Sequence, residues 1–273
     1  MKFFRHGPLG QERPGLIDAQ GLQRDLSGHM DDIGGEALHP SALASWAALD
    51  ATRLPLVPEG TRLGACVAGV GNVVGIGLNY ADHAAEAGLA APGQPIAFNK
   101  HNGSVSGPND DIWLPPDSQK LDWEVELGIV IGQRTWHVSP DQAMAHIAGF
   151  CLVNDVSERS YQMEREGQWV KGKSYPTHCP LGPWLVTPDE LGDPQNVDLW
   201  LDVNGVPRQR GNTRTMIFDV AHIVSYLSQF MALQPGDVIP TGTPPGVGMG
   251  HKPPIYLKTG DVVTLGGRGL GEQ

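Results

Sequence analysis

Two glutamates separated by one residue stand in an apolar segment of the chain. Glu124 and Glu126 lie in WEVELGIVIG, residues 123–132, whose composition is typical of a buried strand. Side chains two residues apart on a strand point to the same side, so both carboxylates would share one face. Two like charges in apolar surroundings are costly to desolvate unless a cation lies between them. The ordinary alternative is a solvated strand face, which the flanking apolar residues disfavour.

A third carboxylate follows another apolar segment. Asp155 comes just after residues 149–153 (GFCLV), which we expect to form a second buried strand. The pair Asn154-Asp155 could instead cap a helix over residues 156–161. Three carboxylates would form an all-oxygen site suited to Mg²⁺, Mn²⁺ or Ca²⁺. Such a site leaves coordination positions open for water and a chelating substrate.

A histidine and a glutamate three residues apart could supply a general base. His83 and Glu86 lie in residues 80–87, whose composition favours a helix. Residues at this spacing share a helix face, so Glu86 could orient His83 for deprotonating a water near a metal. The alternative is an unremarkable surface pair.

Two loops rich in small residues could meet an anionic ligand. Residues 167–174, GQWVKGKS, match the P-loop pattern. Charged residues precede them and Tyr175-Pro176 follows, so the strand and the helix that a P-loop requires are not expected. This context argues against nucleotide binding and predicts that Lys173 is a cation held on a glycine-flanked turn. The second loop, residues 241–248 (TGTPPGVG), offers hydroxyls and amides to a carboxylate.

Charge and composition limit the partners. The formal net charge is −11, and no basic run is present, which argues against nucleic acid and anionic membranes. Every apolar run is far shorter than the ~20 residues of a membrane span. The opening residues lack the pattern of a signal peptide. Three cysteines without a C-x-x-C pair fit a reducing compartment, so we expect a cytoplasmic protein.

The order of the elements predicts an α+β fold. Thirty-six glycines and 23 prolines favour short strands and turns, and no regular βαβ alternation is visible. We expect a small strand-rich domain over residues 1–70 and a larger one over 71–273. The expected elements are strands over 15–18, 22–26, 73–77, 123–132 and 149–153, helices over 40–49, 80–87, 140–146 and 218–230, and a hairpin at Asn204-Gly205.

Taken together, these segments resemble the fumarylacetoacetate hydrolase family over about residues 70–273. The matching stretches keep the family's order and are GIGLNYADHAAEAG (75–88), LDWEVELGIVIG (121–132), GFCLVNDVSERSYQ (149–162), GQWVKGKSYPTHCPLGPWLVT (167–187), NTRTMIFDVAHIVSYLSQFMALQPGDVIPTGTPPGVG (212–248) and LKTGDVV (257–263). The opening is similar to a bacterial subgroup often labelled ureidoglycolate lyase, whose members resemble hydrolases of 2,4-diketo-3-deoxy sugar acids from fuconate or rhamnonate pathways.

The resemblance implies a mixed β-roll or sandwich catalytic domain behind a small N-terminal α+β domain, usually in homodimers. It implies hydrolysis of a carbon–carbon bond in a small 2,4-dioxo acid, giving pyruvate and a carboxylic acid, with Mg²⁺ or Mn²⁺ as cofactor. The residues it implicates are Glu124, Glu126 and Asp155 as metal ligands, His83, Glu86 and Lys173 as catalytic residues, and Arg159, Gln162 and Thr243 as substrate contacts.

Other activities fit the same residues. The strongest rivals are decarboxylation of oxaloacetate and isomerisation of 2-hydroxyhepta-2,4-diene-1,7-dioate, and cleavage of ureidoglycolate ranks below them. A binding protein of the same fold without catalysis is a different class of alternative. The water-activating pair His83 and Glu86 argues against it, because a pure binder has no need of such a pair.

Overall fold

The computed structural model describes residues 1–86, 88 and 90–273, and short strands make up most of its regular structure. The strands are β1 (Lys2–His6), β2 (Arg13–Ile17), β3 (Gln23–Asp25), β4 (Leu63–Gly64), β5 (Val73–Gly77), β6 (Ile96–Lys100), β7 (Val105–Ser106), β8 (Leu121–Asp122), β9 (Val125–Ile131), β10 (Ile147–Asn154), β11 (Ser157–Glu158), β12 (Cys179–Pro180), β13 (Leu185–Val186), β14 (Asp198–Val203), β15 (Val206–Asn212), β16 (Val238–Pro240), β17 (Val263–Gly267) and β18 (Gly271–Glu272).

Seven short α-helices connect these strands in the described part of the chain. They are α1 (Pro40–Ser45), α2 (Ala81–Glu86), α3 (Pro140–Ala143), α4 (Arg159–Met163), α5 (Val170–Lys173), α6 (Pro188–Leu191) and α7 (Val220–Ser228). None of the helices in the described ranges is long and apolar enough to cross a membrane.

A mixed central sheet carries the candidate site. Its strand order is β3-β2-β1-β13-β10-β9-β16-β5-β6, with β4 paired to β1. The pair β16–β5 is parallel, whereas β9 pairs antiparallel with both β10 and β16. Strands β14, β15, β17 and β18 form a separate antiparallel sheet. Mixed sheets with a few short helices confirm the predicted α+β fold.

The centre of the sheet is buried on both faces. Along β9, Leu127 and Ile129 pack into one hydrophobic core with α7 and the second sheet, whereas Val130 packs into another core beneath β1 and β2. Burial on both sides explains why the strand is almost uniformly apolar. It also means that any charged side chain at the end of this strand must find a partner inside the protein.

The strands of the first 70 residues extend the central sheet. Phe3 of β1 pairs with Leu185 of β13, and the core beneath β1 and β2 includes residues from both parts of the chain. The boundary between residues 1–70 and 71–273 stays a prediction.

Several predicted elements are shorter than expected. The helices expected over 40–49 and 140–146 end their α-helical part at Ser45 and Ala143 and continue as 3₁₀ turns. The helix expected over 80–87 spans Ala81–Glu86, and residue 87 lies outside the described residues. The strand expected over 123–132 begins at Val125, because side chains of other residues bind the backbone N–H groups before it.

Near the site, the structure excludes one alternative that the sequence left open and contradicts one local prediction. Asn154-Asp155 does not cap a helix over 156–161, because β11 intervenes and Glu158 caps α4 by accepting a hydrogen bond from the Ser160 N–H. Lys173 is the last residue of the short helix α5 and does not lie on the predicted glycine-flanked turn. The segment that matches the P-loop pattern therefore contains a helix that ends where a P-loop helix would begin.

Candidate metal centre and cavity

The three carboxylates predicted to bind metal meet at the end of the central strand pair. Each of Glu124, Glu126 and Asp155 contributes an oxygen atom, and these atoms lie within 4.8 Å of one another. The antiparallel register places Asn154 opposite Val125, and the Asp155 N–H donates to the Glu124 carbonyl at 2.9 Å. Asp155 therefore lies beside the two glutamates because of strand pairing, and all three side chains are buried.

Three cations surround this cluster. Lys173 Nζ donates to Glu124 Oε2 at 2.8 Å and to Asp155 Oδ2 at 2.7 Å. Lys100 Nζ donates to the other oxygen, Asp155 Oδ1, at 2.5 Å. Arg159 donates to Glu124 Oε1 at 2.6 Å. Glu124 and Asp155 are thus each held by two cations inside the protein.

These contacts shift the pKa values of Glu124 and Lys173 in opposite directions. Burial alone would raise the pKa of Glu124, but Lys173 and Arg159 outweigh burial and hold it well below its usual range. Burial would likewise lower the pKa of Lys173, but Asp155 and Glu124 outweigh it and raise that pKa. The Lys173 ammonium and the Glu124 carboxylate therefore stabilise each other's charged forms.

Glu126 is the carboxylate of the cluster that lacks a cationic partner, so it would gain most from a bound divalent cation. Among the described residues it forms no ion pair, and its Oε2 accepts a hydrogen bond from the Gly242 N–H at 2.7 Å. Burial, followed by the charges of Asp155 and Glu124, raises the pKa of Glu126 well above its usual range. A hard cation bound among three carboxylate oxygens would offset this repulsion, so the donor set fits Mg²⁺ or Mn²⁺.

Helices α4 and α5 hold the basic and amide side chains against the cluster. A Cβ atom on Gly172 would lie 2.5 Å from the Gln162 backbone nitrogen, so a glycine is required for the close packing of the two helices. This packing brings Lys173 beside Arg159. Arg159 also donates to Gln162 Oε1 at 2.9 Å, which leaves the Gln162 amide N–H₂ as the end that can meet a ligand.

The predicted His–Glu pair is formed on α2. His83 Nδ1 lies 3.1 Å from Glu86 Oε2, so Glu86 fixes Nδ1 as the protonated nitrogen and leaves Nε2 to accept a proton. The Glu86 carboxylate also accepts a hydrogen bond from the Gly246 N–H at 3.1 Å. The pair is thereby attached to the loop that follows residue 240.

Asp122 links the same loop to Arg159, which contacts the carboxylate cluster. Its Oδ1 accepts hydrogen bonds from the Gly248 N–H at 2.6 Å and the Trp123 N–H at 2.9 Å. Its Oδ2 accepts from the Met249 N–H at 3.0 Å and from Arg159 Nε at 2.9 Å. This fully buried carboxylate thus holds both the loop and the arginine that contacts Glu124.

Thr243 lines the cavity, and its hydroxyl already forms two hydrogen bonds within the protein. Its Oγ1 donates to the Val125 carbonyl at 2.9 Å and accepts from Gln209 Nε2 at 2.7 Å. The hydroxyl hydrogen is therefore not free for a substrate. Any direct contact with the acid end of a substrate would use the remaining acceptor position of Oγ1 or the backbone.

A cavity of about 610 Å³ is lined by all the predicted site residues except Asp155. The Asp155 carboxylate instead accepts a hydrogen bond from Lys173, which does line the cavity. Phe98 and Trp169, which pack edge to face with centroids 5.4 Å apart, add an aromatic wall beneath the Lys173 ammonium. The predicted residues that line this cavity are His83, Glu86, Glu124, Glu126, Arg159, Gln162, Lys173 and Thr243.

Sequence reasoning missed three polar residues that position the site. Lys100 and Asp122 contact Asp155 and Arg159 respectively, and Asn154 Oδ1 accepts a hydrogen bond from the Glu124 N–H at 3.2 Å. Asp122 lies within the stretch 121–132 that supports the resemblance, and a charged residue directly before a buried strand was the signal available for it. No pattern in the sequence distinguished Lys100 from the other lysines.

The fold thus brings together, beside one cavity, three buried carboxylates that could hold a divalent metal. The sequence profile described as fumarylacetoacetate (FAA) hydrolase C-terminal matches residues 72–273. The chain belongs to this family, whose members are hydrolases and isomerases. A relative from Burkholderia multivorans, whose assignment as a hydrolase is itself provisional, is 58% identical over 274 residues and covers 100% of this chain and 97% of its own length.

Solved structures of family members share the whole fold. Fumarylacetoacetate hydrolase from Exiguobacterium antarcticum is 38% identical with a TM-score of 0.87. The 5-carboxymethyl-2-hydroxymuconate delta-isomerase from Mycobacterium smegmatis is 33% identical with a TM-score of 0.79. Maleylpyruvate hydrolase from Sphingobium sp. SYK-6, solved with manganese(II) and pyruvate, is 26% identical with a TM-score of 0.80. Each similarity covers 100% of this chain and 97% of the other.

Proposed function

We propose that this protein is a Mg²⁺- or Mn²⁺-dependent hydrolase that cleaves a carbon–carbon bond in a 2,4-dioxo acid, giving pyruvate and a carboxylic acid. The observation that carries the proposal is the single cavity shared by two buried carboxylates of the metal cluster and the His83–Glu86 pair. The first candidates for the natural substrate are 2,4-diketo-3-deoxy-fuconate and -rhamnonate. The manganese- and pyruvate-bound maleylpyruvate hydrolase supports this class of reaction.

Glu124, Glu126 and Asp155 would hold the metal. When bound, it would supply open coordination positions for the substrate's 2-oxo carboxylate and positive charge that favours an enolate leaving group. His83 Nε2 would take a proton from a water molecule as it attacks the distal carbonyl carbon of the substrate. The bond between this carbon and C3 then breaks, and protonation of the departing enolate gives pyruvate. Glu86, on His83 Nδ1, would hold the ring in the required tautomer.

Lys173 would supply fixed positive charge where negative charge develops. Its ammonium is buried and donates hydrogen bonds to Glu124 and Asp155, so it is already positioned beside the proposed metal ligands. A preorganised cation in a site shielded from water stabilises a departing enolate more strongly than the same cation would in bulk solvent.

A substrate panel tests the proposed reaction against its closest rival. Purified protein with saturating Mg²⁺ is given acetylpyruvate, oxaloacetate or 2-hydroxyhepta-2,4-diene-1,7-dioate, and initial rates are compared. We expect kcat/KM to be highest for acetylpyruvate among the three. Higher kcat/KM for the dienoate would replace hydrolysis by isomerisation, for which the similar isomerase from Mycobacterium smegmatis is the supporting observation.

A further inference from the structure

The loop after β16 brings a histidine and a lysine to the cavity. His251 and Lys252 line it together with Met249, Gly250 and Pro254. The loop is fixed: Asp122 accepts hydrogen bonds from Gly248 and Met249, and the Ile255 N–H donates to the Gly248 carbonyl at 3.0 Å. The two side chains are therefore presented by a constrained segment, as a binding site requires.

Both side chains have unused hydrogen-bonding capacity. His251 Nε2 is buried and has no hydrogen-bond partner among the described residues. A buried polar atom without a partner costs free energy that a ligand group can recover. The other cations of the cavity are engaged, since Arg159 and Lys173 pair with Glu124. Lys252 forms no ion pair within the described part of the chain and is the cavity cation left to a ligand.

The position of the loop indicates which part of a substrate these groups would meet. Neither His251 nor Lys252 forms a hydrogen bond or ion pair with the three described carboxylates of the metal cluster. A dioxo acid held by its 2-oxo carboxylate at the metal has its other end free to reach this part of the cavity. At about 610 Å³ the cavity is in the range that accommodates ligands much larger than acetylpyruvate.

We propose that His251 and Lys252 recognise oxygen atoms on the substrate beyond the bond that is cleaved. The enzyme would then favour 2,4-dioxo acids whose distal part carries hydroxyls or a carboxylate over those that end in an alkyl group. This inference rests on the proposed function and names the substrate class of the same site. An ammonium and an imidazole N–H donate to either kind of oxygen, and a site built for such contacts rejects a ligand without them.

The test compares three substrates in wild type and in Lys252→Met, which removes the charge and keeps the chain length. The substrates are acetylpyruvate, a 2,4-diketo-3-deoxy sugar acid and fumarylpyruvate, which end in a methyl group, hydroxyls and a carboxylate respectively. Lys252 is exposed, so its substitution leaves folding unaffected. His251→Leu is the second variant. Lys258→Met is the matched control, because Lys258 is an exposed lysine outside this cavity.

We expect Lys252→Met to lower kcat/KM by about 10- to 100-fold for at least one oxygen-bearing substrate, chiefly through KM, and by less than about threefold for acetylpyruvate. Loss with fumarylpyruvate alone identifies a carboxylate as the recognised group, and loss with the sugar acid identifies hydroxyls. Equal losses for all three substrates, or none, would overturn the inference while acetylpyruvate turnover upholds the proposed function. If wild type releases pyruvate from none of the three, the proposed function fails and the inference falls with it.

Discussion

Lys100 Nζ lies 2.5 Å from Asp155 Oδ1, and both side chains are fully buried. Lys173 holds the second oxygen of the same carboxylate at 2.7 Å. The two lysines thus fix the orientation of a proposed metal ligand, although only Lys173 lines the cavity. Lys100 is therefore a positioning residue whose effect should appear in stability and metal binding before it appears in substrate affinity.

Replacing Lys100 by Met should destabilise the metal-free protein by about 3–5 kcal/mol, because it leaves a buried carboxylate with one partner fewer. Bound Mn²⁺ supplies compensating charge, so Mn²⁺ should raise the melting temperature of this variant more than that of wild type. Urea denaturation and thermal melts with and without Mn²⁺ measure both effects, with Lys258→Met as the exposed control. Equal Mn²⁺-induced shifts in both proteins would refute the positioning role.

Glu126→Gln should abolish measurable Mn²⁺ binding while leaving the metal-free protein at least as stable as wild type. The amide removes the cost of burying this carboxylate and its repulsion by Asp155 and Glu124, which together raise its pKa. Mn²⁺ titration followed by electron paramagnetic resonance measures the affinity, and Glu59→Gln on the surface is the control. Retained Mn²⁺ affinity would remove Glu126 from the ligand set.

His83→Ala should lower kcat on acetylpyruvate by roughly 10²–10⁴-fold, because the proposed general base is lost. Mn²⁺ affinity should stay the same, since His83 contacts Glu86 and not the carboxylate cluster. Glu86→Gln should give a smaller decrease, because the ring remains but loses its orienting carboxylate. Steady-state kinetics at saturating metal measure these effects, and turnover near the wild-type rate in His83→Ala would contradict the assigned role.

The sequence predicted which side chains meet at the candidate site better than it predicted how the fold brings them together. Glu124 and Glu126 share a face because the side-chain period of a strand is two, which can be read from a single segment. The approach of Asp155 depends on the register between β9 and β10, which is a non-local pairing. Lys100 was missed for the same reason: it ends the edge strand β6, and only the folding of that strand against β5 brings it to Asp155.

The start of strand β9 was predicted poorly because side chains, rather than a neighbouring strand, accept the hydrogen bonds of the backbone N–H groups there. Trp123 and Glu124 have strand-like composition, but their N–H groups bind the side chains of Asp122 and Asn154, so the regular strand begins at Val125. Such contacts depend on tertiary structure, and hydrophobic patterns alone do not encode them.

Asp122→Asn should raise KM and lower stability by a few kcal/mol. The Asp122 carboxylate accepts four hydrogen bonds, two of them from loop N–H groups and one from Arg159, whereas an asparagine amide must turn an N–H₂ group toward some of these donors. Thermal melts and KM for acetylpyruvate measure the effect, with Asp31→Asn at an exposed aspartate as control. An unchanged KM would show that the loop does not depend on this carboxylate.

His178 should make stability depend on pH in a defined window. Burial lowers the pKa of His178 to about 4 from its ordinary value of 6.5, and its Nε2 lies 3.0 Å from the Trp113 carbonyl. Between these two values the unfolded chain binds more protons than the folded one, so stability falls as the pH decreases from 6.5 toward 4.

The loss attributable to His178 is at most about 3 kcal/mol over that window. His178→Gln, whose amide can still donate to the Trp113 carbonyl, should flatten the profile of unfolding free energy between pH 6.5 and 4. His29→Gln, at an exposed histidine, should leave the profile as in wild type. Identical profiles in all three proteins would show that His178 does not contribute.

The most direct test of the proposed function is metal add-back during acetylpyruvate cleavage. Metal-stripped protein is incubated with acetylpyruvate, Mg²⁺ is then added, and pyruvate release is followed with Glu126→Gln in parallel. We expect pyruvate to appear only after Mg²⁺ is added and only with the wild-type protein. Pyruvate release at the same rate without metal, or from Glu126→Gln, would contradict a hydrolase that acts through this carboxylate cluster.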